Sequence, residues 1–339
     1  MRVRVAIVGV GYWGPNLVRN FFQIEGCDVA YCCDKNKKVL SQISKHFPSI
    51  PLTEDVETIL ADPTVDAVVF ATPSNTHMPL TLQAIKRGKH VFVEKPFTLS
   101  VKEAEAVIAE NKKAKKIIMV GHTYEYHSAL DYLKSYIEKG KMGKIFYIYS
   151  SRLNLGKVRE ETNALWNLAP HDISILRYLL SSNPKEVCAF GHAYLNKKHE
   201  DVVYIHLKFP KNVIAQVHVS WLDPSKERKL TIVGSKKMVI FDDMDNEAPI
   251  RIYDKGFTKK LNDRGDRPYR EYSIKLRPGA ITLPYIEPSE PLKEECKHFI
   301  ECIQQSKQPK SDQYNGMEVV RVLEAAQQSL DRKGTWIKL

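Results

Sequence analysis

Three short runs place groups capable of chemistry in a telling order: Gly9-Val10-Gly11-Tyr12-Trp13-Gly14, Glu94-Lys95-Pro96, and Trp166-Asn167 ahead of His171. The first is a G-x-G-x-x-G at the end of an apolar, β-branched stretch (Val3, Val5, Ile7, Val8). At a turn from a buried strand into a helix, Gly9 permits the tight turn and Gly11 lets a pyrophosphate approach the backbone. Gly14 lets helix and strand pack closely. The phosphates would rest on the amides and positive end of the following helix, beside Tyr12 and Trp13. Asp34 follows Gly14 by 20 residues, the roughly 20-residue spacing of the acid that binds a ribose 2′-hydroxyl. Strand, glycines, helix and acid together predict a dinucleotide site.

Glu94-Lys95-Pro96 follows the apolar run Val91-Phe92-Val93. Charges at the carboxyl end of a buried parallel strand emerge at the crevice where ligands bind in such folds. A lysine there can donate to a substrate oxygen and stabilise developing negative charge, or pass a proton if its pKa is depressed. In ALWNLAPHD (residues 164–172), Pro170 suits the first turn of a helix, which places His171 at a helix N-terminus. The dipole there disfavours imidazolium and leaves the neutral ring that a general base requires.

The elements that must position these groups alternate. Apolar strands are expected at 3–8, 28–33, 67–71, 90–96 and 117–121, with helices at 15–24, 37–47, 56–60, 79–87 and 101–113. That rhythm predicts a doubly wound parallel sheet over residues 1–121. Beyond it, over residues 122–339, come helices at 128–139 and 170–180 and strands at 145–154, 187–194, 202–209, 213–221, 229–233 and 237–241. Val203, Ile205, Leu207 and Phe209 alternate with Tyr204, His206 and Lys208, the pattern of an antiparallel sheet with one open face. Residues 242–288 read as irregular, and helices at 293–305 and 316–331 close the chain. The fold class expected is an α/β Rossmann domain followed by an α+β domain with a large, mainly antiparallel open sheet. That open face predicts a homo-oligomer, a dimer or tetramer.

Bulk properties narrow the class. With 339 residues, two domains with ample cores are expected. Lys and Arg number 51 against 40 Asp and Glu, for a net charge of +11. The basic residues are dispersed and no nucleic-acid-binding motif accompanies them, so no nucleic-acid partner is expected. The six cysteines form no C-x-x-C pair, and neither disulfide framework nor metal site is expected. The first strand begins at once and no apolar run approaches the roughly 20 residues of a membrane span, so a cytoplasmic protein without membrane contact is expected.

Taken together, GVGYWG (9–14), ATPSNTH (71–77), EKP (94–96) and the His171 region resemble the Gfo/Idh/MocA family of NAD(P)-dependent oxidoreductases over essentially the full chain. The resemblance implies a Rossmann domain that binds NAD, with Thr72, Pro73, Asn75 and His77 lining the cofactor site beside Glu94, Lys95 and Trp166. It implies that Lys95 and His171 are catalytic: His171 removes a proton from a sugar hydroxyl while hydride passes to nicotinamide, and Lys95 holds the same oxygen. Many members carry Asp four residues before that His. Here Asn167 stands there, able to orient a hydroxyl but not to hold charge. Asp34 favours NAD over NADP, because its carboxylate repels a 2′-phosphate.

Within the family, LWNLAPHD and SWLDP (220–224) look most like nucleotide-sugar 3-dehydrogenases, which act on UDP-N-acetylglucosamine or its uronic acid. A diphosphate needs cations, for which Arg152, Lys157 and Arg159 are candidates, and Tyr124 and Tyr285 could stack on a sugar or base. Asn167 joins Lys95 and His171 in the expected substrate set. The alternatives are a free-sugar or inositol dehydrogenase, a redox-neutral sugar enzyme that retains NAD, and a sugar or dinucleotide sensor.

Overall fold

The β-branched run at the start of the chain forms β1 (Val3–Val8), one of the two central strands of a six-stranded parallel sheet. The description rests on a computed structural model and covers residues 2–156, 158, 161–195, 198–261 and 272–339. The elements of this first unit are α1 (Gly14–Gln23), β2 (Cys27–Cys33), α2 (Lys37–His46), β3 (Leu52–Thr53), α3 (Val56–Ala61) and β4 (Ala67–Phe70). They continue as α4 (His77–Lys86), β5 (His90–Glu94), α5 (Val101–Ala114) and β6 (Ile118–Gly121). The strand order is β3-β2-β1-β4-β5-β6. Order reverses between β1 and β4, and a crevice at the carboxyl ends of these strands is where such sheets take ligands.

Local chemistry accounts for the helix boundaries. Asn36, Asp55 and Ser100 accept backbone N–H groups at the starts of α2, α3 and α5, satisfying donors that the helix itself cannot. All four residues of β4 are buried, as are Val91, Phe92 and Val93 of β5, because helices cover both faces of a parallel sheet.

The chain divides into two units, one of 1–127 with 289–324 and one of 128–288 with 325–339. The linear boundary at 121/122 therefore differs from this division for 122–127 and 289–324. Far in sequence from the first strands, α8 (Pro291–Gln305) packs on α1 and β1. Arg19 donates to both carboxylate oxygens of Glu290 at its start. Phe299 of α8 meets Phe21 and Phe92 edge to face at ring separations of 6.3 and 5.7 Å. α9 (Gln313–Asp331) gives its residues through Glu324 to the first unit and the rest to the second.

The second unit contains α6 (Ser128–Glu138), β7 (Ile145–Leu153), α7 (Ala164–Leu180), β8 (Glu186–His192), β9 (Val202–Phe209), β10 (Val213–Ser220), β11 (Glu227–Gly234) and β12 (Met238–Asp242). It adds β13 (Ile250–Tyr253), β14 (Gly256–Leu261), β15 (Tyr272–Arg277), β16 (Ile281–Thr282) and β17 (Ile337–Lys338). Nine strands form one sheet in the order β16-β13-β12-β11-β7-β10-β9-β8-β17, antiparallel except where β7 and β10 run parallel. Ile148, Ser150 and Arg152 of β7 face inward toward α7, whereas Tyr147 and Tyr149 face out, the period-two alternation of a strand.

Two sequence expectations are corrected. Residues 242–288, read as irregular, hold β13 to β16, with β14 and β15 paired as a separate hairpin. These strands are short and broken by Gly256 and Pro278-Gly279, so no long alternation reveals them. The helix expected to open at 170 begins at Ala164, and Pro170 lies inside it. Asn163 caps it, its side chain accepting from Trp166 N at 3.1 Å.

Truncating Phe299 to Ala removes a fully buried ring shared by α1, β5 and α8. The expected loss is about 3–5 kcal/mol, read as a lower denaturant midpoint; a midpoint unchanged from wild type would refute the view that α8 completes this core.

Candidate functional site

At the mouth of the first unit, backbone packs against backbone. Gly9 has φ +88°, and a β-carbon there would lie 2.6 Å from the Ala71 carbonyl oxygen. One on Gly14 would lie 2.3 Å from the Gly9 oxygen, whereas one on Gly11 would meet nothing within 4 Å. The glycines thus serve two ends: Gly9 and Gly14 close the loop, and Gly11 leaves its outer surface open. Beyond them α1 begins with no side-chain cap and no acid in its first turn. Helix-start amides without a side-chain acceptor, at the positive end of the dipole, suit an anionic pyrophosphate.

Asp34 sits at the end of β2. One carboxylate oxygen accepts from Val10 N at 3.0 Å and the other from Asn36 N at 2.9 Å. The acid is thereby fixed against the glycine loop with acceptor capacity remaining for a ribose hydroxyl. Gly11, the uncapped α1 and Asp34 fit an adenine dinucleotide.

Across the end of β4, the Trp13 indole donates to Glu94 Oε1 at 2.8 Å. Tyr12, also in the loop, is exposed. Burial pushes the Glu94 carboxyl up from its ordinary 4.5 to about 7, although Lys95, the indole and the Lys95 amide pull it down. Lys95 is half-buried and joins Pro96 through a cis peptide. Beneath them lies a carboxyl that the sequence reading missed. Glu295 of α8 is fully buried, and Thr123 donates to its Oε2 at 2.7 Å. Burial first, then the neighbouring Glu94, hold its pKa well above the usual range. Its only sequence signal was a carboxylate on the apolar face of an amphipathic helix.

The ATPSNTH run sorts into surface and scaffold. Thr72 is half-buried, its hydroxyl hydrogen-bonded to that of Thr76 at 2.6 Å. Pro73 and Asn75 are exposed. His77 is a strut: its ring nitrogens contact the carbonyl oxygens of Pro96 at 2.8 Å and Thr72 at 3.0 Å. It braces the two loops and turns neither nitrogen outward. Tyr124, in a short 3₁₀ turn, stacks on His127 at 6.4 Å.

In the second unit, Trp166, Asn167 and His171 lie on one helix, α7. Asn167 and His171, four residues apart, share a face. Asn167 Oδ1 accepts from the Trp221 indole at 3.4 Å, linking the LWNLAPHD and SWLDP runs. His171 falls in the third turn, so the expected dipole effect at a helix start is withdrawn. Arg152 also departs from expectation. It is 6% exposed, and its Nε donates to Asp172 Oδ2 at 2.6 Å. Such an arginine is already neutralised and enclosed, which removes it as an open cation for a diphosphate. Lys157 and Arg159 lie outside the described residues. Tyr285 is 80% exposed, its hydroxyl donating to Glu287 at 3.1 Å.

All six cysteines are buried free thiols, and burial pushes Cys27 and Cys32 up to about 12. Among the described residues no helix is long and apolar enough to cross a membrane.

Comparison with known proteins gives these features a context. Residues 3–122 match the family model described as oxidoreductase family, NAD-binding Rossmann fold, and residues 130–240 match the Gfo/Idh/MocA C-terminal domain. The chain is 24% identical over 324 residues to the scyllo-inositol 2-dehydrogenase (NAD(+)) of Bacillus subtilis, covering 91% of this chain and 88% of that one. It is 26% identical over 262 residues to the UDP-N-acetylglucosamine 3-dehydrogenase of Acidithiobacillus ferrooxidans, covering 76% and 78%. Scyllo-inositol dehydrogenase from Lactobacillus casei, solved with NAD(H) and scyllo-inositol, superposes with a TM-score of 0.80 at 16% identity over 100% of this chain and 99% of that one.

The Trp13–Glu94 contact makes a prediction. A carboxyl whose pKa is raised on folding lowers stability as pH rises from about 4.5 to about 7, after which the loss is constant. Trp13 fluorescence should titrate with a midpoint of about 7, and Glu94→Gln should abolish the titration and lessen the stability loss over that interval. A flat wild-type signal across that range would refute the assignment.

Proposed function

The chain belongs to the Gfo/Idh/MocA oxidoreductases, with an NAD-binding Rossmann fold, and from that we propose that it oxidises a secondary hydroxyl of a sugar. The position we favour is carbon three of a UDP-N-acetylhexosamine or its uronic acid. The observation that carries the redox reading is Lys95, half-buried beside Glu94 at the end of β5, where the crevice of an NAD-binding sheet opens. The nucleotide-sugar reading draws support from LWNLAPHD and SWLDP and from the similarity to a UDP-N-acetylglucosamine 3-dehydrogenase. Free polyols are the second reading, favoured by similarity to an inositol dehydrogenase over 91% of the chain.

Bound NAD supplies the hydride acceptor. In the proposed reaction His171 takes the hydroxyl proton as the carbon–hydrogen bond gives up its hydride, and a ketone forms. Lys95 donates to the same oxygen and offsets its developing negative charge. Asn167 orients a sugar hydroxyl. Asp34 holds the adenosine ribose and disfavours NADP through repulsion of the 2′-phosphate.

The test is NADH absorbance on adding NAD with UDP-N-acetylglucosamine, its uronic acid, inositols and simple sugars, an aminotransferase and amino donor drawing the ketone forward. Signal with a UDP-sugar alone supports the favoured reading; signal with a free polyol alone replaces it. Lys95→Ala and His171→Ala should each lower kcat by about 10²- to 10⁴-fold with NAD affinity retained. Near-normal turnover in both would overturn the mechanism.

The outer face of the nine-stranded sheet supports a homo-oligomer. Tyr147, Tyr149, Phe190, Tyr204 and Ile214 are each 40–53% exposed on it, a concentration of apolar surface unusual for a face left in water. Light scattering should give a multiple of 38.9 kDa, and Tyr149→Glu with Ile214→Glu should reduce it to one chain. A wild-type monomer would sink this assignment.

A further inference from the structure

Directly after His171 on α7 stands Asp172, which the reaction proposed above does not use. Its residue is 2% exposed, and both carboxylate oxygens are engaged from the neighbouring strand. Arg152 Nε donates to Oδ2 at 2.6 Å, and Ser150 Oγ donates to Oδ1. Ser150 and Arg152 are alternate residues of β7, so both project from the same face of the sheet toward α7. Val217 and Val219 of β10 flank them on one side, and Leu230 and Arg228 of β11 on the other.

A buried ion pair with an apolar alternative is weak as a stabilising device. As a geometric device it is strong, because two donors at fixed strand positions meet two oxygens of one carboxylate and leave the helix no freedom to rotate or slide there. The clamp grips the third turn of a helix that carries Pro170 in its interior. Proline removes one intrahelical hydrogen bond and crowds the carbonyl four residues earlier, so this turn depends more on outside support than an ordinary one. The Ser174 hydroxyl adds a contact on the other side, donating to the His171 carbonyl at 2.9 Å.

We propose that Asp172, held by Arg152 and Ser150, is a positioning residue that fixes the direction of the His171 ring. This rests on the reading of His171 as the base. It also gives Arg152 a role other than binding a diphosphate.

The test uses full-length protein with ¹⁵N-labelled histidine, His171→Ala serving to assign the His171 signal among the eleven histidines. Ser150→Ala keeps the ion pair and removes one of the two grips. It should leave NAD affinity and the melting temperature close to wild type. The His171 imidazole signal should shift or broaden, the other histidines should not, and kcat should fall about tenfold to a hundredfold at nearly unchanged KM. Ser150→Thr, which restores a hydroxyl, should recover signal and turnover. The double variant Arg152→Met with Asp172→Leu should reproduce the loss if it folds. A merely structural clamp would lower the melting temperature while the folded fraction kept wild-type kcat and the wild-type His171 signal, and that result overturns the proposal. Wild-type turnover in His171→Ala would overturn the base assignment instead, and the imidazole signal in Ser150→Ala would still decide whether the clamp positions the ring.

Discussion

Backbone meets backbone at the end of β1, and no side chain fits between. The Gly9 turn lies against the Ala71 carbonyl, and the first residue of α1 lies against Gly9 itself. This closeness sets the rest of the first unit. It brings the loop within reach of Asp34, whose carboxylate accepts from Val10 N, and it carries Trp13 far enough to hydrogen-bond Glu94 across β4. The surface left open at Gly11 and the uncapped start of α1 then form a cradle whose shape comes from missing side chains and whose polarity comes from backbone amides.

Under that cradle the protein accepts an electrostatic cost. Glu94 and Glu295 occupy one enclosed region with Lys95 as the adjoining cation. Burial raises both carboxyls, Glu94 to about 7 and Glu295 well above the usual range, with the neighbouring Glu94 adding to the shift of Glu295. Lys95 therefore has beside it a carboxyl that titrates at about 7.

What was legible in the sequence was local. The glycine loop, Asp34 and Glu94-Lys95-Pro96 each follow a buried strand within a few residues, so spacing alone fixed their places at the crevice. The start of the helix that carries His171 was read wrongly. Pro170 favoured a first turn there, whereas in the structure Asn163 caps the helix and Ala164 begins it, six residues earlier. The cap won because its hydrogen bond joins a helix face that buries Leu165, Ala169, Ile173 and Leu176, burial large enough to offset one proline. The role of α8 was hidden for another reason. Phe299 joins Phe21 and Phe92 from more than 200 residues away, and no pattern of neighbours announces such a contact. Arg152 was misread because a cation near a sheet edge looks open until the alternation of β7 is seen to turn it inward.

The residues around His171 bear on where a proton can go. In α7, Asp172 is the one acidic residue, and its two oxygens are committed to Arg152 and Ser150. At the preceding turn Asn167 accepts from Trp221, and an amide takes no proton. On the proposed mechanism, then, α7 offers His171 no second carboxylate to which a substrate proton could pass. On that mechanism the base works through the direction in which its ring is fixed. That direction places a demand on the helix that carries the ring. A rigid, charge-neutral clamp one residue further along the helix meets that demand without adding an uncompensated charge beside the base.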